Sequence, residues 1–351
     1  MKKLTTILAL LLASMFLLTG CISTSIKYDG EYWNSTPATF QSIEETIVYD
    51  VTTTTKTLSS DTEVKNQYLR LIIDEGTYTV TLKGALAKVN YYELTTELRI
   101  KGKYEYGPEN SEDVVSIPVD DYLKTTTKFE SRANNFKPIY SSRTTYNEET
   151  QTKHFNTSMF SYMEGFIESH LSYDYSIEYD GKNAKSIMTQ SQLRIDEETN
   201  EITGEDKIED TFNYNNYDGG AYIDNNLITF LPRAFNLEDS FYQEFTTIDV
   251  PTHSVKKMLY TVSESSNAVS QFTFDNLTYD YKIKDVPQTV ESGFTAYLLY
   301  AAIDNTFSGT PIELYYATDA SFHRHRLIKS YTALNDSMGY LEYTIKSVSL
   351  K

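Results

Sequence analysis

Two imidazoles two positions apart, in His323-Arg324-His325, are the sharpest chemical signal in this 351-residue chain. Residues i and i+2 of a strand share a face, so the pair could chelate a transition metal, with Asp319 or Asp336 as third ligand. No His-Glu-x-x-His pattern accompanies it, and a solvent-facing strand start explains the pair more simply. His154, His170 and His253 stand alone. Carboxylate doublets are common: Glu44-Glu45, Asp120-Asp121, Glu148-Glu149 and Glu197-Glu198. A glycosidase needs two carboxyls flanking a cleft, about 5–10 Å apart. Neighbours on a strand point to opposite faces, which makes each doublet a poor candidate. Asn213, Asn215, Asn216 and Asp218-Gly219-Gly220 invite a calcium loop. Opening the loop at Asn213 puts Tyr217 at a ligand position, Asp218 in place of the turn glycine and Asp224 where a bidentate Glu belongs. A hairpin loop accounts for the same residues. Neither a Gly-x-Ser-x-Gly elbow nor a phosphate-binding loop occurs. The sequence therefore predicts no catalytic residue, no metal and no cofactor.

The one strong covalent signal lies at the start. Lys2 and Lys3 precede an apolar run from Leu4 to Leu18, which ends in Leu18-Thr19-Gly20-Cys21. Charged, apolar and small-residue regions in that order make a secretory leader, and about fifteen apolar residues fall short of the ~20 that span a bilayer. The last four residues resemble the lipobox of bacterial lipoproteins. The resemblance implies a diacylglycerol on the Cys21 sulfur, cleavage after Gly20 and an extracytoplasmic protein anchored to the cell membrane by lipid. Cys21 is the only cysteine, so no internal disulfide can form. No later run is apolar enough to cross a membrane, which leaves the lipid as the tether.

Losing Lys2 and Lys3 with the leader takes the formal charge from −18 to −20. That balance disfavours nucleic acid and anionic headgroups as partners. Thirty Tyr and seventeen Phe against a single Trp, with abundant Thr, is strand composition. The expected organisation is a leader over 1–20, a lipidated tether over 21–42, and antiparallel β units over 43–200 and 205–351.

Period-two alternation carries the fold prediction. Leu171, Tyr173, Tyr175, Ile177 and Tyr179 form one series; Tyr92, Leu94, Thr96, Leu98 and Ile100 form another. Tyr78, Val80 and Leu82, then Leu277, Tyr279, Tyr281 and Ile283, then Leu341, Tyr343 and Ile345 add three more. One polar face per strand implies antiparallel sheets with one wet side. Helix is scarce: Phe155 to Ile167 has helical spacing, and a second piece is N-capped at Asp224 or Asn225 and stopped near Pro232. The octapeptides from Leu171 and from Leu277 match at five of eight positions, which raises the prospect of two similar units. The acidic stretch Asp196 to Asp210 reads as a charged hairpin loop between them.

Residues 221–350 also carry a looser resemblance, through Asn226-Leu227-Ile228-Thr229-Phe230-Leu231-Pro232-Arg233-Ala234-Phe235-Asn236-Leu237. A strand near Phe241–Phe245 and a closing hairpin through Gly339-Tyr340-Leu341-Glu342-Tyr343 complete it. The segment resembles uncharacterised envelope β proteins, which are similar to the periplasmic lipoprotein carriers. What that implies is an open, strongly curved antiparallel sheet with a helix against its concave face. The expected fold is mainly β: curved open sheets or half-barrels with a few short helices. Tyrosines on the Leu and Ile faces suit a core or an apolar groove, with Phe230, Phe235, Phe241, Tyr279 and Tyr281 as candidate lining. The expected function is non-enzymatic binding or scaffolding, with an apolar ligand or an envelope protein as partner. The alternative is an extracytoplasmic hydrolase using a carboxylate pair.

Overall fold

A computed structural model describes residues 44–54, 67–84, 91–108, 115–130, 136–147, 171–195, 202–215, 222–235, 237, 242–262, 270–289, 292–303, 311–318, 325–335 and 339–351. Cys21, the tether, the spacing from Phe155 to Ile167, His323 and Phe241 lie outside them. Strands dominate. The first eight are β1 (Glu44–Thr54), β2 (Gln67–Lys83), β3 (Tyr91–Pro108), β4 (Val115–Glu130), β5 (Pro138–Asn147), β6 (Leu171–Asp180), β7 (Asn183–Ile195) and β8 (Ile202–Asn215). Each pairs antiparallel with the next. The acidic stretch beginning at Asp196 is thus partly strand, because Ile202 to Asp210 zips onto β7.

The second half supplies β9 (Tyr242–Asp249), β10 (Ser254–Thr261), β11 (Gln271–Phe274), β12 (Asp280–Ile283), β13 (Val286–Pro287), β14 (Phe294–Ile303), β15 (Ile312–Ala317), β16 (Leu327–Asn335) and β17 (Gly339–Leu350). The last strand returns to pair antiparallel with the first, Ile47 facing Val348 and Val51 facing Tyr343. From β17 the ladders continue through β16, β15 and β14 to β10 and β9. β16 covers β17 only as far as Thr344, and β12 lies parallel along the uncovered Ser347–Leu350. The ladders end at β8 on one side and β9 on the other. The result is one large, strongly curved antiparallel sheet that does not close into a barrel. The two similar octapeptides meet different partners: one lies within β6, between two antiparallel neighbours, and the other ends in the short parallel β12.

Alternation sets which face is dry. On β1, Glu45, Ile47, Tyr49 and Val51 are buried while Asp50 is exposed. Two glycines let the long β1–β2–β3 ribbon coil. A Cβ on Gly76 would overlap the Val51 carbonyl oxygen, and one on Gly102 would overlap that of Ile72. Both sit beside the bulge at Ile73/Glu75, where an inserted residue increases local twist.

Segment 222–237 fills the inside of the curve, with Ile223, Leu227, Leu231, Ala234, Phe235 and Leu237 joining the main core. It is not the single helix that its spacing predicts. Two 3-10 turns, Asn225–Leu227 and Leu231–Ala234, flank a turn at Ile228–Phe230. Asp224 does cap the first, accepting from the Asn226 amide. Pro232 opens the second turn instead of ending the first, since proline's fixed φ and missing N–H suit a helix start. Irregular backbone leaves carbonyls unpaired, and tyrosines meet them. Tyr260 donates to the Ile228 carbonyl at 2.9 Å and Tyr316 to the Thr229 carbonyl at 2.7 Å. Phenylalanine could fill the same space but would orphan both carbonyls.

Candidate functional site

A cavity of about 310 Å³ opens between the sheet and this segment. Its floor is one cross-strand row, Tyr49–Tyr78–Leu98–Leu123, running over β1 to β4. Thr96 and Thr125, the next row in, join their hydroxyls at 2.6 Å. Asn225, Asn226, Ile228 and Thr229 form the facing wall, and Ile303, Ile312, Ser330, Thr332 and Tyr343 close the side. Leucines and isoleucines alternate with hydroxyls and amides; among the described residues no Asp, Glu, Lys, Arg or His lines the space. Tyr78 holds its place between Tyr49 and Tyr343, ring centres 5.9 and 5.4 Å away.

Two buried carboxyls anchor the wall from either end. Glu45 accepts from Arg233 Nη1 at 2.5 Å and from Arg326 Nε at 3.0 Å, with all three side chains almost fully buried. Burial alone would push this carboxyl up. The guanidiniums of Arg233 and Arg326 outweigh it and hold Glu45 at about 2. Each guanidinium also lies over a ring: Arg233 over Phe230 at 4.9 Å, Arg326 over Tyr281 at 5.4 Å. Asp224 has no such cation among the described residues. Its Oδ1 accepts from Ser141 at 3.1 Å and from the Asn226 amide at 2.8 Å, and its Oδ2 from Tyr179 at 2.6 Å. Thr127 adds a longer contact at 3.4 Å. Burial pushes the Asp224 carboxyl up, more than these four donors pull it down.

The two carboxyls do not form a pair. Glu45, Leu82, Leu94 and Thr127 occupy one cross-strand row. Glu45 and Thr127 are therefore three strand spacings apart along the sheet, about 14 Å, with two leucines between them.

Phe230, Phe235, Tyr279 and Tyr281 do not appear in the described lining of this cavity. Phe235 stacks on Phe245 at 5.7 Å, edge-on to Tyr260, in the packed core. Tyr279 stacks on Phe294 at 5.3 Å, and Tyr281 lies beneath Arg326. Phe230 packs under Arg233 and borders a smaller void beside the cavity. His325 is fully buried at a positive φ of 48°, edge-on to Tyr297, so the expected solvent-facing strand start is overturned. Its ring sits in a turn before β16, where side-chain alternation gives no guide to direction. Among the described residues no group of His, Cys, Asp or Glu is placed to hold a metal ion.

Sequence reasoning passed over Tyr49, Thr125 and Ser330 as lining, and Glu45 and Arg326 as an ion pair. The signal available for Tyr49 was its place in the Ile47-Tyr49-Val51 alternation. For Arg326 there was none.

No family model and no curated protein matches the chain. Among solved structures it is similar to the crystal structure of a beta-barrel-like protein of a domain of unknown function, DUF1849, from Brucella abortus. Identity is 9%, the TM-score is 0.41, and the match covers 88% of this chain and 98% of that one. No residue role follows from it.

Proposed function

We propose that the mature protein is a lipid-anchored extracytoplasmic lipoprotein that binds a small, mainly apolar ligand and does not transform it. The observation that carries this reading is a cavity of about 310 Å³ with no charged group among its described lining residues, whose floor is a single row across four strands. Ligand sites start near 300 Å³, and an apolar cavity of about 150 Å³ already admits benzene. Twice that space suits an acyl chain or a fused ring pair. The hydroxyls and amides offer a few oriented hydrogen bonds, while Leu98, Leu123, Ile228 and Ile312 supply apolar area. Binding is favoured over hydrolysis because none of the buried carboxyls Glu45, Asp121 and Asp224 lines the cavity, and Glu45 is engaged by two guanidiniums. The anchor rests on Leu18-Thr19-Gly20-Cys21. Among the described residues no helix is long and apolar enough to cross a membrane.

A cavity-filling Leu123→Trp substitution tests the reading. Protein purified from membranes is extracted and analysed for co-purifying apolar molecules by mass spectrometry, and delipidated protein is titrated with a fluorescent apolar probe. Wild type should carry or bind ligand, and the variant should fold yet bind at least tenfold more weakly, about the effect of filling a well-formed site. A wild type that carries nothing and binds no probe leaves a packed scaffold in place of a binding protein. For the anchor, Cys21→Ala should release the protein from membranes or leave an uncleaved precursor.

A further inference from the structure

The polar groups of the cavity are connected, not scattered. Thr96 and Thr125 lie side by side in one cross-strand row, are each 6% exposed, and share a hydrogen bond of 2.6 Å. The Tyr78 hydroxyl joins this pair to the facing wall by bonding both Thr96 and Thr229. All four residues line the cavity, so a run of hydroxyls crosses it from the sheet to the irregular segment. On the same wall Asn226 is held from three directions. Its backbone N–H goes to Asp224 at 2.8 Å, its Nδ2 donates to Ser141 at 2.6 Å, and its Oδ1 accepts from Tyr175 at 3.4 Å. A side-chain amide fixed in this way keeps one further Nδ2 hydrogen. The hydroxyl run has a surplus of the other kind. Each hydroxyl carries one hydrogen and two lone pairs, so three mutual bonds use three of the four hydrogens but only three of the eight lone pairs. What such a run lacks is a donor.

We infer that the ligand is an alcohol-headed amphiphile, of the fatty alcohol or monoacylglycerol class, whose hydroxyl lies on the Thr96–Thr125 pair and whose chain runs over Leu98 and Leu123. This rests on the binding reading above and names the chemical class of the ligand. A hydroxyl donates into the surplus of lone pairs and accepts from the remaining O–H or from Asn226 Nδ2. An ether accepts only. A carboxylate also accepts only, and it gives up the hydration of its charge as well. The chain has its place one row away. Leu98 lies two residues beyond Thr96 on β3 and Leu123 two before Thr125 on β4, on the same face, about 7 Å from the hydroxyls.

The test uses the chain from residue 21 with Cys21→Ser, so that no acyl chain of its own competes. Octanol, octyl methyl ether and octanoate, matched in tail, are titrated by calorimetry. Octanol should bind about three- to tenfold more tightly than the ether, the scale of one neutral hydrogen bond. It should bind about tenfold or more tightly than octanoate. The Thr96→Val/Thr125→Val double variant removes both partners of the 2.6 Å bond together. It should fold, bind the ether as wild type does, and lose the preference for octanol. In wild type, nuclear Overhauser contacts should join the octanol carbinol protons to the Thr96 and Thr125 methyls, and the chain to Leu98 and Leu123. Should the double variant fail to fold, these contacts still decide. Equal affinities for octanol and ether overturn the alcohol head, as does a preference that survives in the double variant. Carbinol contacts to Ser330 or Thr332 on β16 overturn its placement. Tighter binding of octanoate would put a cation at the head, Arg143 being the one paired beside Thr125, and overturn the inference too. Each of these outcomes leaves the binding reading intact. No binding of any of the three probes overturns the binding reading and this inference together.

Discussion

Glu45 and Asp224 are both buried carboxyls that fasten the same irregular segment to the same curved sheet, yet they are held in opposite ways. Glu45 has two guanidiniums and is driven to about 2; Asp224 has only neutral donors and is driven up. Burial is common to both, so it does not set the sign. A full counter-charge within hydrogen-bond reach does, because it outweighs the lost hydration where dipoles do not. The Glu45 end is therefore an ionic lock, while the Asp224 end is a polar hub whose charge state can change.

Substitution separates the two most strongly. Glu45→Ala strands two buried guanidiniums and should cost about 3–5 kcal/mol in denaturant unfolding, enough to approach global instability. A loss under about 1 kcal/mol would mean that water reaches the arginines.

Acid should act next. Glu45 titrates lower in the folded protein than its ordinary 4.5, so its stabilisation is complete above that pH and is lost as pH falls toward about 2. The lost stability is of order 3 kcal/mol. For Asp224 the sign reverses. Its folded value lies above the ordinary 3.8, so the protein loses stability as pH rises from there through the raised value. Unfolding midpoints from pH 2 upward, with Asp224→Asn as reference, should show the alkaline-side loss in wild type and not in the variant. Parallel profiles would refute the contrast.

At fixed neutral pH, Asp224→Ala should cost about 1–3 kcal/mol, since Tyr179, Ser141 and the Asn226 amide lose their acceptor. The milder Asp224→Asn should fall below that, because an amide oxygen can replace one of the two acceptors. Hydrogen exchange at the Asn226 amide reports the local effect.

The smallest effect belongs to the wholly neutral contact. Thr96→Val or Thr125→Val alone should cost about 1 kcal/mol by orphaning one hydroxyl, while the double variant should be near neutral. An additive double variant would show that the pair is hydrated and makes no mutual bond.

How much could be read beforehand differs along the chain. The alternation of Tyr78, Val80 and Leu82, or of Tyr175 and Ile177, named strands and their dry faces, because side-chain direction on a strand repeats every two residues whatever the partner. A cap at Asp224 or Asn225 was visible too, since capping is local, and the fold chose Asp224. The break of segment 224–234 into two 3-10 turns was hidden, because helical spacing does not distinguish one α-helix from short turns packed under tyrosines. Glu45 was hidden in another way: it sat in one doublet among several, and the alternation said only that one of the two points inward.

Composition, period and local turn chemistry thus made this an antiparallel β protein with little helix. The cavity and the state of the buried carboxyls Glu45 and Asp224 needed the folded chain. Arg233 and Arg326 lie 188 and 281 residues from Glu45, and Tyr179 lies 45 from Asp224. A strand's period is written in its own backbone geometry, but a buried group's charge depends on what stands within a few ångströms. For Glu45, one of those neighbours, Arg326, comes from near the far end of the chain, where β17 pairs with β1.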